Sequence, residues 1–350
     1  MRIGLVFPSF TSDEQELIYP LYHHIVRGIS AYHEVTVFAL FMEPQHQAGY
    51  HWFYNAKVVP LGLAEVTHRA LRQFGNALAA KYTVDILHAF GIRWAGNLAA
   101  AFRGQKKIPL LINLLSEDFT YPSKTLQYAL EAASCLIVPS HHASTQIHQR
   151  FPKLAIEKQV IHYGVDINHF VLPQKDHRTR DYLAVGQLIA RRNLDLMLHL
   201  VARLPSMTLD IVGDGPMRSS LQTLTQSLGI ADRVIFHGHQ PYETMPHWYQ
   251  QSRALLVTAD ESEVFYLPAI EAMACGTEVI GPAVGILPEI TTTSSSHQLA
   301  DLQELILKRQ RKHQELKRFQ LRLRAQYDFS LEQMLKHYLT LYEKAIHNPA

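Results

Sequence analysis

Residues 261–289 read ESEVFYLPAIEAMACGTEVIGPAVGILPE. Pro268 predicts the start of a helix, because proline lacks the N–H group that the first helical turn leaves unbonded. Glu263 is then expected at a strand-to-helix turn, and Glu271, eight positions later, inside the helix. The apolar segment TEVIGP (277–282) predicts a strand. The whole stretch therefore predicts a turn, a helix and a strand, which are the parts of a βαβ unit.

The first turn of this helix suits a bound anion such as a diphosphate. The N–H groups of Leu267, Ala269 and Ile270 are expected to point outward, where the helix dipole favours negative charge. Glu263, just before the turn, can accept hydrogen bonds from sugar hydroxyls, and Glu271 can reach the hydroxyls of a ribose. The alternative is a helix with two ordinary surface glutamates.

Apolar runs recur on both sides of this segment. They are apolar throughout rather than alternating, which is typical of parallel strands covered on both faces. The runs of the first half lie at 3–7, 34–40, 56–61, 85–90, 108–115 and 134–140, and those of the second half at 182–186, 209–213, 233–238, 253–259 and 277–282.

Helical patterns lie between the apolar runs. Ser12 and Gln15 have the spacing of a capping box and predict a helix that ends near Gly28. Two tandem arrays predict an α/β fold with two doubly wound, parallel-sheet, Rossmann-like domains facing a cleft, with ligands at the carboxyl ends of the strands. Further helices are expected at about 63–81, in WAGNLAAAF (94–102), and at about 193–203, 216–228, 298–325 and 330–346.

Composition limits the function classes. The chain has 350 residues, 33 Lys and Arg against 31 Asp and Glu, so its global charge selects no partner. It has no apolar stretch long enough to span a membrane and no signal-peptide pattern. Its two cysteines, Cys135 and Cys275, fit a reducing cytosol and no disulfide framework. The histidines lack metal-ligand spacing, so no metal site is expected.

The run E-V-F-Y-L-P-A-I-E-A-M-A-C-G-T-E-V-I resembles the signature of the retaining GT-B glycosyltransferases called group 1 or family 4. The resemblance implies that Glu263 contacts the donor sugar and Glu271 the ribose. It also implies that the residues between them bind the donor, namely Val264, Phe265, Tyr266, Leu267, Pro268 and Ala269.

The segment AVGQLIARRN (184–193) is similar to the family's V-G-R-L followed by K-G. The family uses the Arg and Lys to neutralise the donor diphosphate. Gly186 is in register, Gln187 stands at the Arg position, and Arg192 stands at the Lys position as the expected catalytic cation. Arg192 can bind phosphate bidentately. The alternative is a surface arginine pair before a helix.

Two glycine-containing turns extend the resemblance. IVGDGPM (211–217) matches I-V-G-x-G-P, which shapes the nucleotide pocket, and FHGH (236–239) matches a segment near the base. A simple strand-to-helix turn is the alternative for the aspartate. The resemblance adds the following donor-binding residues: Gly213, Asp214, Gly215, Gly238 and His239.

The chain departs from the family at several positions. Val264 and Tyr266 replace two glycines, and their bulk either closes or reshapes the sugar pocket. Leu115 stands where the family often has a histidine, and PSFTSDEQE (8–16) replaces a Gly-Gly loop. The residues expected on the acceptor side are Ser9, Phe10, Thr11, Glu117 and Asp118.

The resemblance assigns domain roles along the chain. Residues 1–165 are expected to form the acceptor-side domain, residues 166–328 the nucleotide-sugar domain, and residues 329–350 a helix that crosses back to the first domain.

The expected function is metal-independent transfer of a sugar, with retention, from a nucleoside-diphosphate donor, without a cofactor. The sequence does not distinguish between four classes of acceptor, namely a glycan, a lipid-linked molecule, a small molecule and a protein. One alternative is a catalytically degenerate homologue that binds or stabilises an active enzyme, and another is a phosphorylase or hydrolase on the same fold.

A basic stretch bears on location and partners. Residues 308–324 read KRQRKHQELKRFQLRLR, which suits a solvated helix face or an anionic membrane surface. No nucleic-acid partner is expected. The expected location is cytoplasmic, with peripheral membrane contact through this stretch as an open alternative.

Overall fold

The computed structural model describes residues 1–10, 20–41, 55–63, 67–104, 106, 108–175, 178–290, 299–310 and 315–347. Thr11 and the predicted capping box at Ser12 and Gln15 lie outside the described residues. The chain divides into two compact units, Met1–His162 with Glu332–Ala350, and Tyr163–Leu331. No helix within the described ranges combines the length and apolar character needed to cross a bilayer.

The first unit is built on a parallel sheet of seven strands. Its spatial order is β3-β2-β1-β4-β5-β6-β7, so the order reverses between β1 and β4. The strands are β1 (Arg2–Phe7), β2 (Glu34–Ala39), β3 (Ala56–Pro60), β4 (Ile86–Phe90), β5 (Leu110–Asn113), β6 (Cys135–Val138) and β7 (Glu157–Val160).

Helices flank this sheet along the sequence. Thr67 caps the second of them by accepting a hydrogen bond from the N–H of Ala70 at 3.2 Å. The helices are α1 (Pro20–Ser30), α2 (His68–Lys81), α3 (Asn97–Arg103), α4 (Gln127–Ala132) and α5 (His141–Arg150), and the helix at 331–347, named below, also belongs mostly to this unit.

The second unit has a parallel sheet of five strands in the order β10-β9-β8-β11-β12. Its strands are β8 (Arg180–Val185), β9 (Leu209–Val212), β10 (Val234–Gly238), β11 (Ser252–Leu256) and β12 (Glu278–Ile280). Its helices are α6 (Leu194–Arg203), α7 (Arg218–Ser227), α8 (Met245–Gln251), α9 (Leu267–Ala274), α10 (Leu287–Ile290), α11 (Leu299–Gln310) and α12 (Glu315–Asp328), and α13 (Leu331–His347) follows.

The α/β class with two parallel-sheet, Rossmann-like arrays is confirmed. Three local predictions differ from the structure. β7 went unpredicted, because its sequence EKQV has no apolar run. The helix expected from Trp94 onward begins two residues earlier as a π-helical turn, Ile92–Gly96. The long helix expected at 298–325 is described as α11 and α12, with residues 311–314 outside the described ranges.

A buried polar network joins the sheet of the first unit to α13. His88 is fully buried; its Nε2 lies 2.6 Å from the amide oxygen of Asn113, and its Nδ1 lies 2.6 Å from the hydroxyl of Tyr342. Since an amide oxygen only accepts, Nε2 donates to Asn113; burial lowers the pKa of His88 to about 4, so the ring is neutral at pH 7 and Nδ1 accepts from the hydroxyl of Tyr342. Asn113 donates in turn to the hydroxyl of Tyr338 at 3.0 Å. The network therefore holds His88 in its neutral form.

His88 is expected to make the stability of the protein depend on pH. Burial lowers its pKa from 6.5 to about 4, so between these values the unfolded chain binds a proton that the folded chain excludes. Above pH 6.5 His88 makes its full contribution to the free energy of unfolding. This contribution falls by about 3 kcal/mol as the pH drops to about 4. Urea unfolding of the wild type and of His88→Gln across this range measures it.

Two buried carboxyl groups act in the opposite direction. Burial raises the pKa of Asp118 to about 6 and that of Glu271 to about 7, so their contribution to stability is lost as the pH rises through these values. The wild-type curve alone therefore mixes opposing effects, and the difference between wild type and His88→Gln isolates the imidazole. The same pH dependence in both proteins would contradict the prediction.

Candidate functional site

Glu263 lies at the strand-to-helix turn between β11 and α9, as the sequence predicts. Its N–H donates to the carbonyl of Asp260 at 3.1 Å, and the Asp260 carboxylate accepts from the N–H of Ser262 at 2.9 Å. Gly285 packs against the turn, because a Cβ there would lie 2.7 Å from the carbonyl oxygen of Glu263 and its φ is +56°. The turn is thus held from two sides, and the position of Glu263 is fixed.

Arg192 lies at the end of the short 3₁₀ turn that follows β8. The hydroxyl of Thr258 donates to the carbonyl of Arg192 at 2.7 Å, and the N–H of Asp260 donates to the carbonyl of Arg191 at 2.9 Å. Both contacts come from the segment that leads from β11 to Glu263. The same segment therefore positions both Arg192 and Glu263, and the catalytic roles expected for these two residues stay predictions.

The two side chains form an ion pair. A guanidinium nitrogen of Arg192 lies 3.0 Å from Oε2 of Glu263, and the side chains are only 17% and 3% exposed. The contact is not aligned as a hydrogen bond, and the buried Nε of Arg192 donates to no described residue. Buried donors are normally satisfied, so this guanidinium has capacity to bind an oxyanion.

Tyr266 covers this ion pair on one side. It is 3% exposed, its hydroxyl donates to the carbonyl of Val185, and its ring lies 4.5 Å from the guanidinium carbon of Arg192. Gly186 faces the same ring. The cavity between Gly186, Arg192 and Tyr266 measures only about 10 Å³, which is room for about one water molecule. The bulk at position 266 therefore nearly fills the space beside Arg192.

Glycines bring the carboxyl ends of three neighbouring strands together. A Cβ on Gly213 would lie 2.0 Å from the carbonyl oxygen of Gly186, and φ at Gly213 is +134°. The N–H of Gly213 donates to the carbonyl of Gly238 at 2.7 Å. Only glycine allows this approach, so the predicted turns after β8, β9 and β10 lie next to one another.

The polar donor-side residues of these turns differ in their surroundings. Asp214 is exposed and pairs with Arg218 at 2.8 Å, and its carboxylate accepts from the N–H of Gly215 at 2.8 Å, which lowers its pKa. Gln187 and His239 are exposed. None of these side chains is part of the buried ion pair of Arg192 and Glu263. Their contact with a donor stays a prediction.

The start of α9 corrects one expectation. The N–H of Ala269 donates to the carbonyl of Tyr266 at 2.9 Å, so it does not point outward as an unbonded donor. Leu267 and Pro268 are half-buried at the first turn. Val264 is 1% exposed, and the buried ring of Phe265 lies edge-on against Tyr163 at 5.2 Å, so both of these side chains serve the interior of the unit.

Glu271 lies inside α9, as predicted, but its carboxylate is directed into the unit. It is 7% exposed and accepts a hydrogen bond of 2.6 Å from the hydroxyl of Tyr249. Burial raises its pKa to about 7. No sequence pattern pointed to Tyr249, which lies on α8, 22 positions before Glu271. Contact of Glu271 with a ribose stays a prediction.

The acceptor-side residues lie in the first unit. Phe10 is buried and stacks on Phe7 and His23 at 5.6 and 4.4 Å, so it is part of the core. Ser9 is half-buried after β1, and Glu117 is exposed.

Asp118 clamps two turns of the first unit. Its carboxylate accepts hydrogen bonds from the N–H groups of Ile92 at 2.8 Å, Arg93 at 3.3 Å and Leu115 at 3.0 Å. The turns after β4 and β5 are therefore joined by one buried carboxylate. This is a structural role that the sequence did not indicate, and an acceptor contact of Asp118 stays a prediction.

The family comparison covers the second unit. Residues 167–317 match the family of glycosyl transferases group 1, and this range contains Arg192, Glu263 and Glu271. The match to this family therefore falls within the second unit. Within the described part of the chain, no group of three or more His, Cys, Asp or Glu residues is arranged to hold a metal ion.

Curated relatives match part of the chain. It is 34% identical over 180 residues to the D-inositol 3-phosphate glycosyltransferase of Mycobacteroides abscessus, which is 46% of this chain and 40% of that protein. It is 30% identical over 190 residues to the protein of the same name from Mycolicibacterium smegmatis, 50% of this chain and 43% of that protein. The chain thus spans less than half the length of these relatives.

Solved structures share the fold over nearly the whole chain. Anabaena Alr3699/HepE in complex with UDP has a TM-score of 0.78 at 17% identity and covers 98% of this chain and 100% of its own. Sucrose-phosphate synthase from Thermosynechococcus elongatus has a TM-score of 0.78 at 22% identity and covers 99% of both chains. These likenesses confirm the predicted GT-B fold.

Proposed function

We propose that the protein transfers a sugar from a nucleoside-diphosphate donor to an acceptor, with retention at the anomeric carbon and without a metal ion. The observation that carries the proposal is the buried pair of Arg192 and Glu263, held at the carboxyl ends of β8 and β11. A cation and a carboxylate fixed side by side suit a departing diphosphate and a sugar that develops positive charge.

The proposed roles follow the charges. Arg192 neutralises the diphosphate as the bond to the sugar breaks, and Gln187 adds an uncharged hydrogen bond. Glu263 orients the sugar hydroxyls and faces the developing oxocarbenium-like charge. Glu271 binds the ribose, which requires its carboxylate to exchange the hydroxyl of Tyr249 for a ribose hydroxyl. No cofactor takes part, because the donor already carries its leaving group.

Uridine diphosphate is the first nucleotide to test. The support is that structural neighbours at low identity are described in complex with UDP and UDP-glucose. The relatives named D-inositol 3-phosphate glycosyltransferase make a phosphorylated polyol one candidate acceptor, beside a glycan, a lipid-linked molecule and a protein.

A thermal-shift screen with UDP, GDP and their sugars tests donor binding. A nucleotide present at about 100 times its dissociation constant is expected to stabilise the protein by about 2.7 kcal/mol. The matched control is uridine, which lacks the diphosphate that Arg192 is proposed to bind. No shift with any nucleotide would contradict the proposal.

The second candidate function is a non-catalytic homologue that binds or stabilises an active partner. The observation that favours it is Tyr266, whose ring and hydroxyl occupy the space beside Arg192. This candidate predicts no nucleotide shift and no transfer, so the same screen separates the two functions.

Peripheral membrane contact through residues 308–324 is also a proposal. Two cationic side chains of this stretch bind residues of the second unit. Lys317 pairs with Glu278, and Arg322 donates to the carbonyl of Ile167 at 2.7 Å. For Lys317 and Arg322, these contacts favour the interpretation of the stretch as one face of a helix over that of a membrane-binding surface. Phe319 and Tyr327, which are 62% and 66% exposed on α12, would supply the apolar contact.

A further inference from the structure

Arg93 in the first unit is held between two aromatic rings. Its guanidinium carbon lies 4.0 Å from the ring centre of Trp94 and 3.8 Å from that of Tyr121. Cation–π contact of this kind is favourable by about 0.5–2 kcal/mol and fixes the plane of the guanidinium. The side chain of Arg93 is therefore pre-organised, although it belongs to a turn.

The edge of this guanidinium is available. Among the residues that the structure describes, none accepts a hydrogen bond from the Arg93 side chain or forms an ion pair with it, and Arg93 is half-buried. Stacked rings cover the two faces of a guanidinium but not its in-plane N–H groups. Those N–H groups have the fork geometry that matches a carboxylate or a phosphate.

The surroundings place Arg93 where a ligand is expected. It follows β4 at the carboxyl edge of the parallel sheet, next to the point where the strand order reverses. It lies in the π-helical turn Ile92–Gly96, and such turns are frequent at functional sites.

Four further contacts hold this turn and the segment that carries Tyr121. The carboxylate of Asp118 accepts from the backbone N–H of Arg93, and Arg150 donates to the carbonyl of Phe119 at 2.7 Å and to that of Tyr121. The exposed ring of Phe41, after β2, lies edge-on to Trp94 at 6.0 Å. The turn is thus rigid and bordered by aromatic rings.

We propose that Arg93, Trp94 and Tyr121 form the subsite for an anionic group of the acceptor, a phosphate or carboxylate attached to a sugar or polyol ring. Arg93 binds the oxyanion through two parallel N–H groups, and the aromatic rings contact the adjoining ring. The proposal rests on the proposed function, because the anion belongs to the acceptor of that reaction.

Binding of glucose 6-phosphate, glucuronate and glucose to the full chain tests the subsite by calorimetric titration. The wild type is expected to bind the two anions at millimolar concentration and to bind glucose far more weakly. Their relative affinities tell whether the subsite prefers phosphate or carboxylate. Arg93→Gln is expected to weaken binding of the preferred anion about tenfold or more, the effect of losing a charge-assisted pair.

Arg72→Gln is the matched control. Arg72 lies over the ring of Tyr128 at 4.4 Å in the same unit, so this variant also removes an arginine–aromatic contact. It is expected to leave anion binding unchanged. Arg93→Lys keeps the charge but loses the fork, so it is expected to bind with intermediate affinity, and it serves if Arg93→Gln does not fold.

Two results would overturn the subsite: wild-type protein that binds neither anion, or anion affinity that is the same in the wild type and in the Arg93 variants. UDP titration of each variant is read separately. Wild-type protein that does not bind UDP would refute the proposed function. Wild-type protein that binds UDP but neither anion would refute only the subsite.

Discussion

Replacing Arg192 with methionine is expected to lower the free energy of unfolding by about 3 kcal/mol and to reduce sugar transfer at least about a hundredfold. The change removes a cation that pairs with Glu263, whose side chain is 3% exposed. A buried carboxylate that loses a cationic partner is destabilised because little water reaches it. The proposed diphosphate site loses its positive charge at the same time.

A double-mutant cycle separates the pair from the individual side chains. Glu263→Gln with Arg192→Met removes both charges, so the double variant is expected to be more stable than Arg192→Met alone. Urea unfolding measures this. The stability control is Arg218→Met, which breaks the exposed pair with Asp214 and is expected to cost less than about 1 kcal/mol.

Transfer assays with a matched donor complete the test. Glu263→Gln keeps the size of the side chain and removes its charge, so transfer is expected to fall strongly while the fold is kept. Unchanged transfer in Glu263→Gln would remove this carboxylate from the mechanism. Equal stabilities of Arg192→Met and Arg218→Met would show that the buried pair adds no more to folding than a surface pair.

Replacing Tyr266 with alanine is expected to tighten UDP binding about tenfold. In the structure the ring lies on Arg192 and the hydroxyl donates to the carbonyl of Val185, and the adjoining cavity of about 10 Å³ is too small for a phosphate. We therefore expect Tyr266 to move when UDP binds at Arg192. That movement costs a hydrogen bond and a cation–π contact, together about 1.5–2 kcal/mol. Calorimetric titration measures the gain.

Tyr266→Phe is the matched control for Tyr266→Ala. It keeps the ring and loses only the hydrogen bond to Val185, so its UDP affinity is expected to fall between those of the wild type and the alanine variant. Truncating a buried tyrosine also lowers stability, so the titrations are made well below the unfolding temperature of each variant. UDP binding that is weaker in Tyr266→Ala than in the wild type would show that the ring is part of the nucleotide site.

The predictable part of the fold is the part that local pattern encodes. β1 and β6 show how a run of buried apolar residues marks a parallel strand. β7 shows the opposite case, because a strand with a half-exposed polar sequence, EKQV, leaves no such mark. The π-helical turn at Ile92 was equally hidden, since it depends on the distant carboxylate of Asp118.

The same limit applies to the site. The placement of Glu263 before α9 and Glu271 within it followed from Pro268 and the spacing. The partners of these carboxylates, Arg192 and Tyr249, are set by tertiary packing, which no local pattern encodes.

The network around His88 has a consequence for biosynthesis. His88 and Asn113 leave the ribosome early, whereas Tyr338 and Tyr342, whose hydroxyls they bond, are made only after every strand of the second sheet. A nascent chain that has just completed its first seven strands still holds an imidazole and an amide without those hydroxyls. We expect the emerging amino-terminal half to stay incompletely consolidated, and open to proteolysis, until translation reaches the last helix.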